Sequence, residues 1–389
     1  MKTLIKPLTF FVFISIWSCG QQTKQNTTDN EKTTPMIKFW LGTYTSNPEQ
    51  GIHLIGYHPD TDKFDSLLLF GGVKNPSFVV SNKKGDLLFS VQEIGGEEGG
   101  SVCSYRYDEN NNILTKINSS STLGSGPCYI TLDPSEKYIL AGNYGSGDLA
   151  VIPINEDGSL AEAVQEINHS GKGINPSRQE GPHVHSLVFH PNGKQVFVGD
   201  LGTDKVNIYD FDPSNEKPLS PSSPSFFEVK PGSGPRHLVF NKTGDKIYLI
   251  HEMTSEVGLY DYNLEDNKII HLDTYPLVPK DFDGALGAAE IRISQDGQYL
   301  YASNRGDANE ITVFKVDENT GVLDKIQTVS SGGNNPRNFG ISPDGEYLFS
   351  GNQDSNDIYA FKRNPNTGII KQLDGKITIH KPVYFFMMK

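Results

Sequence analysis

The sequence predicts an all-β protein folded as a seven-bladed β-propeller, and three observations carry that prediction. The first is composition: 39 Gly and 23 Pro make up 62 of the 389 residues, where an average protein has about 12 % of the two together. This composition favours short strands joined by many turns over long helices. The second observation is an internal repeat, and the third is a pair of partial copies of that repeat at the two ends of the chain.

The repeat occurs in six consecutive copies. Each copy has a small or polar start, an apolar strand, a turn containing Gly, and further strands rich in aromatic residues. The first strands of the copies begin near Pro76, Pro127, His185, Pro235, Ala289 and Pro336. Pairs such as Asn192-Gly193 and Asp344-Gly345 supply the positive φ angles that tight hairpins require. One copy has room for about four short strands, which is the content of a propeller blade.

The two ends of the chain together supply a seventh blade. Residues 39–44, 52–57 and 66–70 have the form of its second, third and fourth strands, and the segment Pro382–Met387 has the form of the missing first strand. Pairing these ends closes the ring and removes a free sheet edge. We therefore expect a single closed propeller over residues 36–389.

The first 18 residues have the pattern of a signal peptide. Lys2 and Lys6 precede or flank an apolar run over 7–17 that is too short to span a bilayer. The run leads into Ile16-Trp17-Ser18-Cys19-Gly20, which resembles a bacterial lipobox and predicts lipidation of Cys19. A plain secretory signal is the alternative interpretation.

Residues 19–35 are polar and cannot bury enough apolar surface to fold, so they are predicted to form a flexible tether. Together with the leader they indicate an exported protein, held in the periplasm or cell envelope as a lipoprotein. A cytoplasmic location is the alternative if the N-terminal segment is not used. Apart from the lipid anchor, no membrane contact is expected.

Charge and cysteine content exclude several classes of function. A formal net charge of −13 offers no basic excess to neutralise phosphates, so nucleic acid is excluded as a partner. Three cysteines are too few for a disulfide scaffold or a Cys-rich zinc module. The chain also lacks a Gly-x-Ser-x-Gly elbow, a P-loop and a dinucleotide fingerprint in a strand–helix context, so no cofactor is expected. The oligomeric state is left open, with a monomer as the simplest expectation.

Equivalent positions in successive blades form rings around the central channel, and two rings depart from the small or apolar residues that a structural repeat would carry. The ring at the start of the innermost strand contains Ser77, Cys128, His185, Arg236, Ala289 and Arg337. The ring at the end of the next strand contains Tyr44, Glu93, Tyr144, Leu201, Glu252, Arg305 and Gln353, and the position before it is polar too. Such diversity on a uniform scaffold indicates a ligand site at one channel mouth.

Within these rings, His185, Arg236 with Glu252, and Arg305 fall on three consecutive blades and are expected to converge on one small molecule. Two other interpretations stay open from the residues alone. Ion pairs of Glu252 with either arginine could be purely structural. His183 and His185, two residues apart, could ligate a metal, although no third ligand is spaced beside them.

Several motifs, in order along residues 38–389, resemble the bacterial lactonase family. They are Ser177-Arg178-Gln179-Glu180-Gly181-Pro182-His183-Val184-His185-Ser186, Gly234-Pro235-Arg236-His237, His251-Glu252, Ala289-Glu290-Ile291-Arg292-Ile293-Ser294, Ser303-Asn304-Arg305-Gly306 and Asn335-Pro336-Arg337-Asn338-Phe339. That family comprises seven-bladed 6-phosphogluconolactonases and related carboxy-muconate cyclising enzymes. The resemblance implies that His185, Arg236, Glu252 and Arg305 form the active site, and that no metal is needed.

The implied reaction is hydrolysis of a sugar lactone, either 6-phosphogluconolactone or an unphosphorylated gluconolactone, to the aldonic acid. Glu252 or His185 would act as general base, and the arginines would stabilise the oxyanion or hold an anionic substituent. Substrate contacts are expected from His183, Tyr144, Arg292, Arg337 and Glu93. The segment 171–181 is longer than its counterparts and is expected to lie over the channel mouth.

Two rival functions remain at this point. A muconate-type cycloisomerase would use the same base and arginines. A non-catalytic propeller at the cell envelope would bind a sugar acid or a partner protein without turnover. Predicted export puts the phosphorylated lactone in doubt, because that compound is a cytoplasmic metabolite.

Overall fold

The computed structural model of the protein describes residues 1, 4, 7–12 and 34–389. The chain divides into two units, Met1–Thr34 and Pro35–Lys389. The described residues of the first unit have no helix or strand. Cys19 and most of the predicted leader and tether lie outside the described residues, so these assignments stay predictions. Nowhere in the part of the chain described is there a helix with the length and apolar character needed to cross a membrane.

The second unit consists of seven antiparallel sheets of four strands each, and these are the blades. Blade 1 contains β1 (Ile37–Thr43), β2 (Gly51–His58) and β3 (Lys63–Gly71). Blade 2 contains β4 (Val79–Ser81), β5 (Leu87–Gln92), β6 (Ser101–Asp108) and β7 (Ile113–Ser121), with one 3₁₀ turn at Gly96–Glu98. Blade 3 contains β8 (Pro127–Leu132), β9 (Tyr138–Asn143), β10 (Asp148–Pro153) and β11 (Gln165–Asn168). Blade 4 contains β12 (Val184–Phe189), β13 (Gln195–Asp200), β14 (Lys205–Phe211) and β15 (Leu219–Glu228).

The remaining blades follow the same order from the channel outward. Blade 5 contains β16 (Pro235–Phe240), β17 (Lys246–His251), β18 (Glu256–Asn263) and β19 (Lys268–Pro276). Blade 6 contains β20 (Ala288–Ile293), β21 (Tyr299–Asn304), β22 (Glu310–Val316) and β23 (Leu323–Ser330). Blade 7 contains β24 (Pro336–Ile341), β25 (Tyr347–Asn352), β26 (Asp357–Arg363) and β27 (Ile370–Thr378). The last strand, β28 (Pro382–Met387), joins blade 1.

Ring closure occurs through β28, which pairs with β1 in antiparallel register and forms the innermost strand of blade 1. Trp40 lies opposite Phe386, and Phe39 lies opposite Met387. The predicted seven-bladed fold is confirmed, including the blade assembled from the two ends. This arrangement leaves β1 without an unpaired edge.

Apolar packing between neighbouring blades holds the ring together. One core cluster, for example, joins Tyr248 and Ile250 of β17 to Leu300 and Ala302 of β21, with Phe314 of β22 also fully buried. Burial of a side chain of this size contributes about 1.5–3 kcal/mol. Because every blade is clamped between two others, the inner strands are rigid supports for whatever they carry.

A β-bulge recurs between the innermost strand and its neighbour in six of the seven blades. In blade 5, Pro235 pairs with His251 and His237 pairs with Ile250, so Arg236 is the extra residue. His185 occupies the same place in blade 4. A bulge interrupts the alternation of faces and re-aims the side chain of the extra residue. It therefore lets consecutive residues, such as Arg236 and His237, both line the channel.

Candidate active site

A cavity of about 340 Å³ opens at the channel mouth where the innermost strands begin, and we call it the upper cavity. It is lined by Tyr44, Glu93, Cys128, Tyr144, Arg178, His185, Glu252, Arg305 and Arg337. Most of these residues belong to the two rings expected from the sequence. They meet because the second strand of each blade runs antiparallel to the first, which brings its end beside the start of the first.

Glu252 is the centre of an ion-pair cluster in this cavity. Its Oε2 atom lies 2.9 Å from Arg236 Nε and 3.0 Å from Arg305 Nη2. Its Oε1 atom lies 2.6 Å from Arg178 Nη2. Both oxygens of the carboxylate are therefore engaged by guanidinium groups, and both ion pairs considered from the sequence are present together with a third.

Backbone carbonyls near β20 fix Arg236, which is buried, and Arg305, which is partly exposed. Arg236 Nη1 donates to the carbonyl oxygen of Ala289 at 2.6 Å. Arg305 Nε donates to the carbonyl oxygen of Gly287 at 2.9 Å. The N–H of Glu252 donates to the carbonyl oxygen of Gly234 at 2.8 Å, which sets the direction of the chain as it leaves β17. These bonds hold the charges before any ligand arrives.

The electrostatics of the cluster keep Glu252 ionised. Burial alone would raise the pKa of Glu252, but the positive charges of Arg305 and Arg236 outweigh burial and hold that pKa well below its usual range. Burial, together with the positive charges of Arg337 and Arg305, lowers the pKa of Arg236. A carboxylate held in this way is a weak base and a firm anchor for arginine side chains.

His185 lies beside this cluster and is only 4 % exposed. Burial, followed by the nearby positive charge of Arg236, lowers the pKa of His185 well below its ordinary value, so the imidazole is neutral at pH 7. Its Nδ1 atom lies 3.8 Å from Cys128 Sγ, and its ring meets the rings of Tyr144 and His237 edge to face. Across residues 34–389, no side chain or backbone group hydrogen-bonds His185 Nε2.

Glu93 and Arg337 form the other side of the cavity. Tyr44 Oη donates to Glu93 Oε1 at 3.0 Å, and Ser77 Oγ donates to Glu93 Oε2. Burial raises the pKa of Glu93, even though Arg337 opposes the change. The Arg337 guanidinium lies 5.6 Å from the centre of the Tyr44 ring, within reach of a cation–π interaction.

The loop between β11 and β12 contributes Arg178, a site residue that sequence analysis missed. Arg178 reaches Glu252, as described above, and its Nη2 lies 3.4 Å from Tyr144 Oη. The next residue, Gln179, is fully buried and ties the loop down: its Nε2 donates to the carbonyl oxygen of Leu201 at 3.0 Å. The expectation that the segment 171–181 reaches the channel mouth is met at Arg178. Only the motif quoted around His183 could have drawn attention to this residue.

His183 does not line the upper cavity. Its ring stacks on Tyr144 with centroids 4.5 Å apart, and its Nδ1 donates to the carbonyl oxygen of Tyr144 at 2.8 Å. It precedes β12, whereas His185 is the extra residue of the bulge, so the two-residue spacing does not place the two histidines side by side on one strand face. Among the residues that the structure describes, no cluster of three or more His, Cys, Asp and Glu side chains could hold a metal ion.

Arg292 is also absent from the upper cavity, contrary to expectation. It lies three positions beyond Ala289 on β20, which is about 10 Å at the rise of an extended strand. It lines a separate cavity at the other end of the channel. The motif that contains Arg292 identified its strand but gave no information about depth along the channel.

The polar position before the second ring has a structural role. Asn143 Nδ2 donates to the carbonyl oxygen of Thr122 at 3.0 Å and to Asp148 Oδ1 at 2.5 Å. The Asp200 carboxylate accepts the His183 N–H at 2.8 Å. These buried side chains tie turns together at the mouth and do not line the upper cavity.

The upper cavity thus places three guanidinium groups, two carboxyl groups and one neutral imidazole around a space of sugar size. Fixed donors of this kind bind oxygen-rich or anionic ligands, and they stabilise negative charge that develops on such a ligand.

Comparisons with known proteins agree with this geometry. Residues 38–387 match the family model described as lactonase, 7-bladed β-propeller. The chain is 33 % identical over 353 residues to a 6-phosphogluconolactonase of Bacillus subtilis, covering 90 % of this chain and 98 % of the relative. It is 31 % identical over 344 residues to a 6-phosphogluconolactonase of Formosa agariphila, covering 88 % and 97 % respectively.

A solved structure is similar over nearly the whole chain as well. It is the periplasmic gluconolactonase of Pseudomonas aeruginosa, with a TM-score of 0.86 and 33 % identity over 91 % of this chain and 99 % of that one.

Proposed function

We propose that this chain, which belongs to the lactonase family of seven-bladed β-propellers, opens the ester ring of a sugar lactone by adding water. The observation that carries the proposal is the upper cavity itself. A neutral imidazole and several fixed guanidinium groups face one space, with Glu252 as their common counter-charge. Those are the parts that ester hydrolysis requires: a base, an oxyanion site and a means of orienting both.

We assign the role of general base to His185. Sequence analysis left the choice between His185 and Glu252 open. Both oxygens of Glu252 are occupied by arginines, and its pKa is held well below the usual range. His185 is neutral at pH 7, and its Nε2 is available in the described part of the chain. In this proposal, Glu252 positions the arginines and His185 takes the proton from water.

The steps of the reaction follow from that assignment. His185 accepts a proton from water as the oxygen attacks the lactone carbonyl carbon. Arg305 and Arg337 stabilise the oxyanion of the tetrahedral intermediate. The intermediate then collapses with cleavage of the bond to the ring oxygen, which takes the proton from the imidazolium. The product is the aldonic acid, which ionises and releases one proton to the solvent.

The substrate is proposed as an aldonolactone, either 6-phosphogluconolactone or an unphosphorylated gluconolactone. Two considerations favour the unphosphorylated compound. The relative from P. aeruginosa is described as a periplasmic gluconolactonase, and the leader predicts export of this chain with a lipid on Cys19. A monomer with no cofactor completes the proposal.

The test is a panel of lactones assayed by proton release with the purified protein, corrected for spontaneous hydrolysis. The panel contains gluconolactone, 6-phosphogluconolactone, galactonolactone and, for the rival cyclisation, carboxy-muconates. We expect saturable hydrolysis of at least one aldonolactone and its loss in His185→Gln. No acceleration of any lactone above background would contradict the proposal. Full activity in His185→Gln would contradict the assignment of the base.

One observation favours a second candidate, a non-catalytic sugar-acid receptor. The carboxylate of Glu252 is fully paired, which is typical of a binding centre as well as of a positioning group. Calorimetric titration with gluconate separates the two. A receptor would bind gluconate with no turnover of gluconolactone, whereas a lactonase would bind its product and also hydrolyse the lactone.

A further inference from the structure

A second cavity of about 340 Å³ lies at the opposite mouth of the channel, and we call it the lower cavity. It is lined by Tyr129, Val188, Phe189, Pro191, His237, Leu238, Val239, Phe240, Glu290, Ile291, Arg292, Ile293 and Tyr384. These residues come from the middle and far ends of the inner strands, and none of them lines the upper cavity. A space of about 10 Å³ lies between the two cavities, among Arg236, His237 and their neighbours, and is too small to join them for a ligand.

The walls of the lower cavity are mainly apolar and aromatic. Val188 of β12 and Val239 of β16 form one side, and Tyr129 and Tyr384 contribute aromatic rings from blades 3 and 1. Burial, the largest influence on both tyrosines, raises the pKa of each, so neither carries a charge at pH 7. Such walls accommodate a flat, apolar body and offer few partners to a sugar.

The charged groups of the lower cavity are not equivalent. Glu290 has partners on both carboxylate oxygens: Oε1 accepts the N–H of Ile291 at 3.1 Å, and Oε2 accepts from Asn338 Nδ2 and lies 3.4 Å from His237 Nδ1. Arg292 is less fully paired. Its Nη2 makes two long hydrogen bonds, to Asn338 Oδ1 at 3.4 Å and to the carbonyl oxygen of Phe385 at 3.3 Å, and its Nε is buried without a hydrogen-bond partner in the described structure.

Arg292 is also the cationic group that the cavity exposes. Its side chain is 26 % exposed and lies 3.9 Å from Glu290, beyond the distance of a good hydrogen bond. The guanidinium lies 5.7 Å from the centre of the Tyr384 ring, so it is held over an aromatic face. A carboxylate is the group that an under-paired guanidinium binds best, through two parallel hydrogen bonds.

We propose that the lower cavity is a second ligand site, which takes a small organic carboxylate with a flat, apolar body. The carboxylate pairs with Arg292, and the body packs against the cavity walls formed by Tyr129, Tyr384 and the two valines. The site differs in chemistry from the upper cavity, which is polar and arranged for a sugar. The proposal stands independently of lactone hydrolysis.

Benzoate is a suitable probe because it combines a carboxylate with a flat ring. We would titrate the full-length protein with benzoate, using saturation-transfer NMR and calorimetry, and compare benzyl alcohol as the uncharged probe of similar shape. We expect saturable binding of benzoate and at least tenfold weaker binding of benzyl alcohol. Gluconate should leave benzoate binding unchanged, because it belongs to the upper cavity.

Two arginine variants form the matched pair for this test. Arg292→Gln should weaken benzoate binding at least tenfold, whereas Arg337→Gln, which alters the upper cavity, should change it less than twofold. If Arg292→Gln fails to fold, Val239→Phe, which fills the lower cavity, should abolish binding in its place. Absence of saturable benzoate binding to the unaltered protein would overturn the proposal. So would binding that Arg337→Gln removes and that Arg292→Gln or Val239→Phe leaves intact.

Discussion

The two mouths of the channel are built from the same repeated strands and yet differ in chemistry. The upper cavity is lined by the bulged residues Cys128, His185 and Arg337, by residues just after strands, and by Arg178 on a long loop. The lower cavity is lined by the middles and far ends of the inner strands, where apolar side chains predominate. Strand interiors must pack against neighbouring blades, whereas bulges and loops are free of that requirement. In this propeller, the side chains that differ most in chemistry from blade to blade therefore lie where the regular pairing of strands is interrupted.

The most direct test of the difference between the two mouths replaces one buried carboxylate at each mouth by its amide. We expect Glu252→Gln to lower kcat/KM about 100-fold or more, because three guanidinium groups lose their common counter-charge and leave their positions. Glu290→Gln should change kcat/KM less than about threefold, since that carboxylate contacts no group of the upper cavity. Steady-state kinetics on the preferred lactone provide the measurement.

Both variants need a check of folding by denaturant unfolding, because loss of one member of a buried ion pair typically costs about 3–5 kcal/mol. Equal loss of activity in the two variants, with both folded, would show that the mouths are not functionally distinct.

Arg178 provides a second test of the difference between the two mouths. It stands on a long loop, and no such loop contributes a residue to the lining of the lower cavity. We expect Arg178→Ala to lower kcat/KM about 10- to 100-fold, through loss of the 2.6 Å ion pair with Glu252 and of a positive charge facing the ligand. Arg178→Lys should recover part of the loss, since it restores the charge but not the planar fork. Its side chain is 43 % exposed, so the melting temperature should stay close to that of the unaltered protein. Wild-type kinetics in Arg178→Ala would assign the loop a purely structural role.

Tyr144 is a smaller test of the same region. Tyr144→Phe removes the hydroxyl that lies 3.4 Å from Arg178 Nη2 but keeps the ring that stacks on His183. We expect kcat/KM to fall about two- to fivefold, as for loss of one long hydrogen bond. A drop as large as that of Arg178→Ala would instead indicate direct contact between the hydroxyl and the substrate.

The smallest expected effect is that of pH, because kcat/KM should hardly change just below neutral pH. A base must be deprotonated to act, and His185 has a pKa well below 6.5 because of burial and the charge of Arg236. Activity is therefore lost only as the pH falls through that lowered pKa, and kcat/KM should vary less than about twofold between pH 7.5 and pH 6.5. A histidine with an ordinary pKa would already be half protonated at pH 6.5. A midpoint at or above pH 6.5 in the kcat/KM profile would contradict a base with the lowered pKa of His185.

Much of the fold and part of the site were predictable from sequence for a physical reason: repetition. Six copies of one pattern gave the blades, and the missing strand at one end matched the spare strand at the other. The same repetition aligned His185, Arg236, Glu252 and Arg305 in rings near one mouth. His185, Glu252 and Arg305 line the upper cavity there, and Arg236 pairs with Glu252 from the small space next to it.

The residues that the repeat could not locate lie where the strand pairing is irregular. The bulges near the start of β16 and β20 place His237 and Glu290 on the channel, although strict alternation puts them on the other face. Arg178 stands on a loop that has no period. Arg292 was expected to contact the substrate but lines the lower cavity, because a motif identifies a strand and not a depth along the channel.

The position of β28 has a consequence for biosynthesis. In chain order it is the last of the strands that the structure describes, and the first of them, β1, has no inner partner until β28 arrives. A nascent chain on the ribosome can complete blades 2 to 7 one after another, but the ring stays open until residues 382–387 have been synthesised. Any chain interrupted before residue 382 therefore carries an exposed strand edge that invites aggregation and quality control.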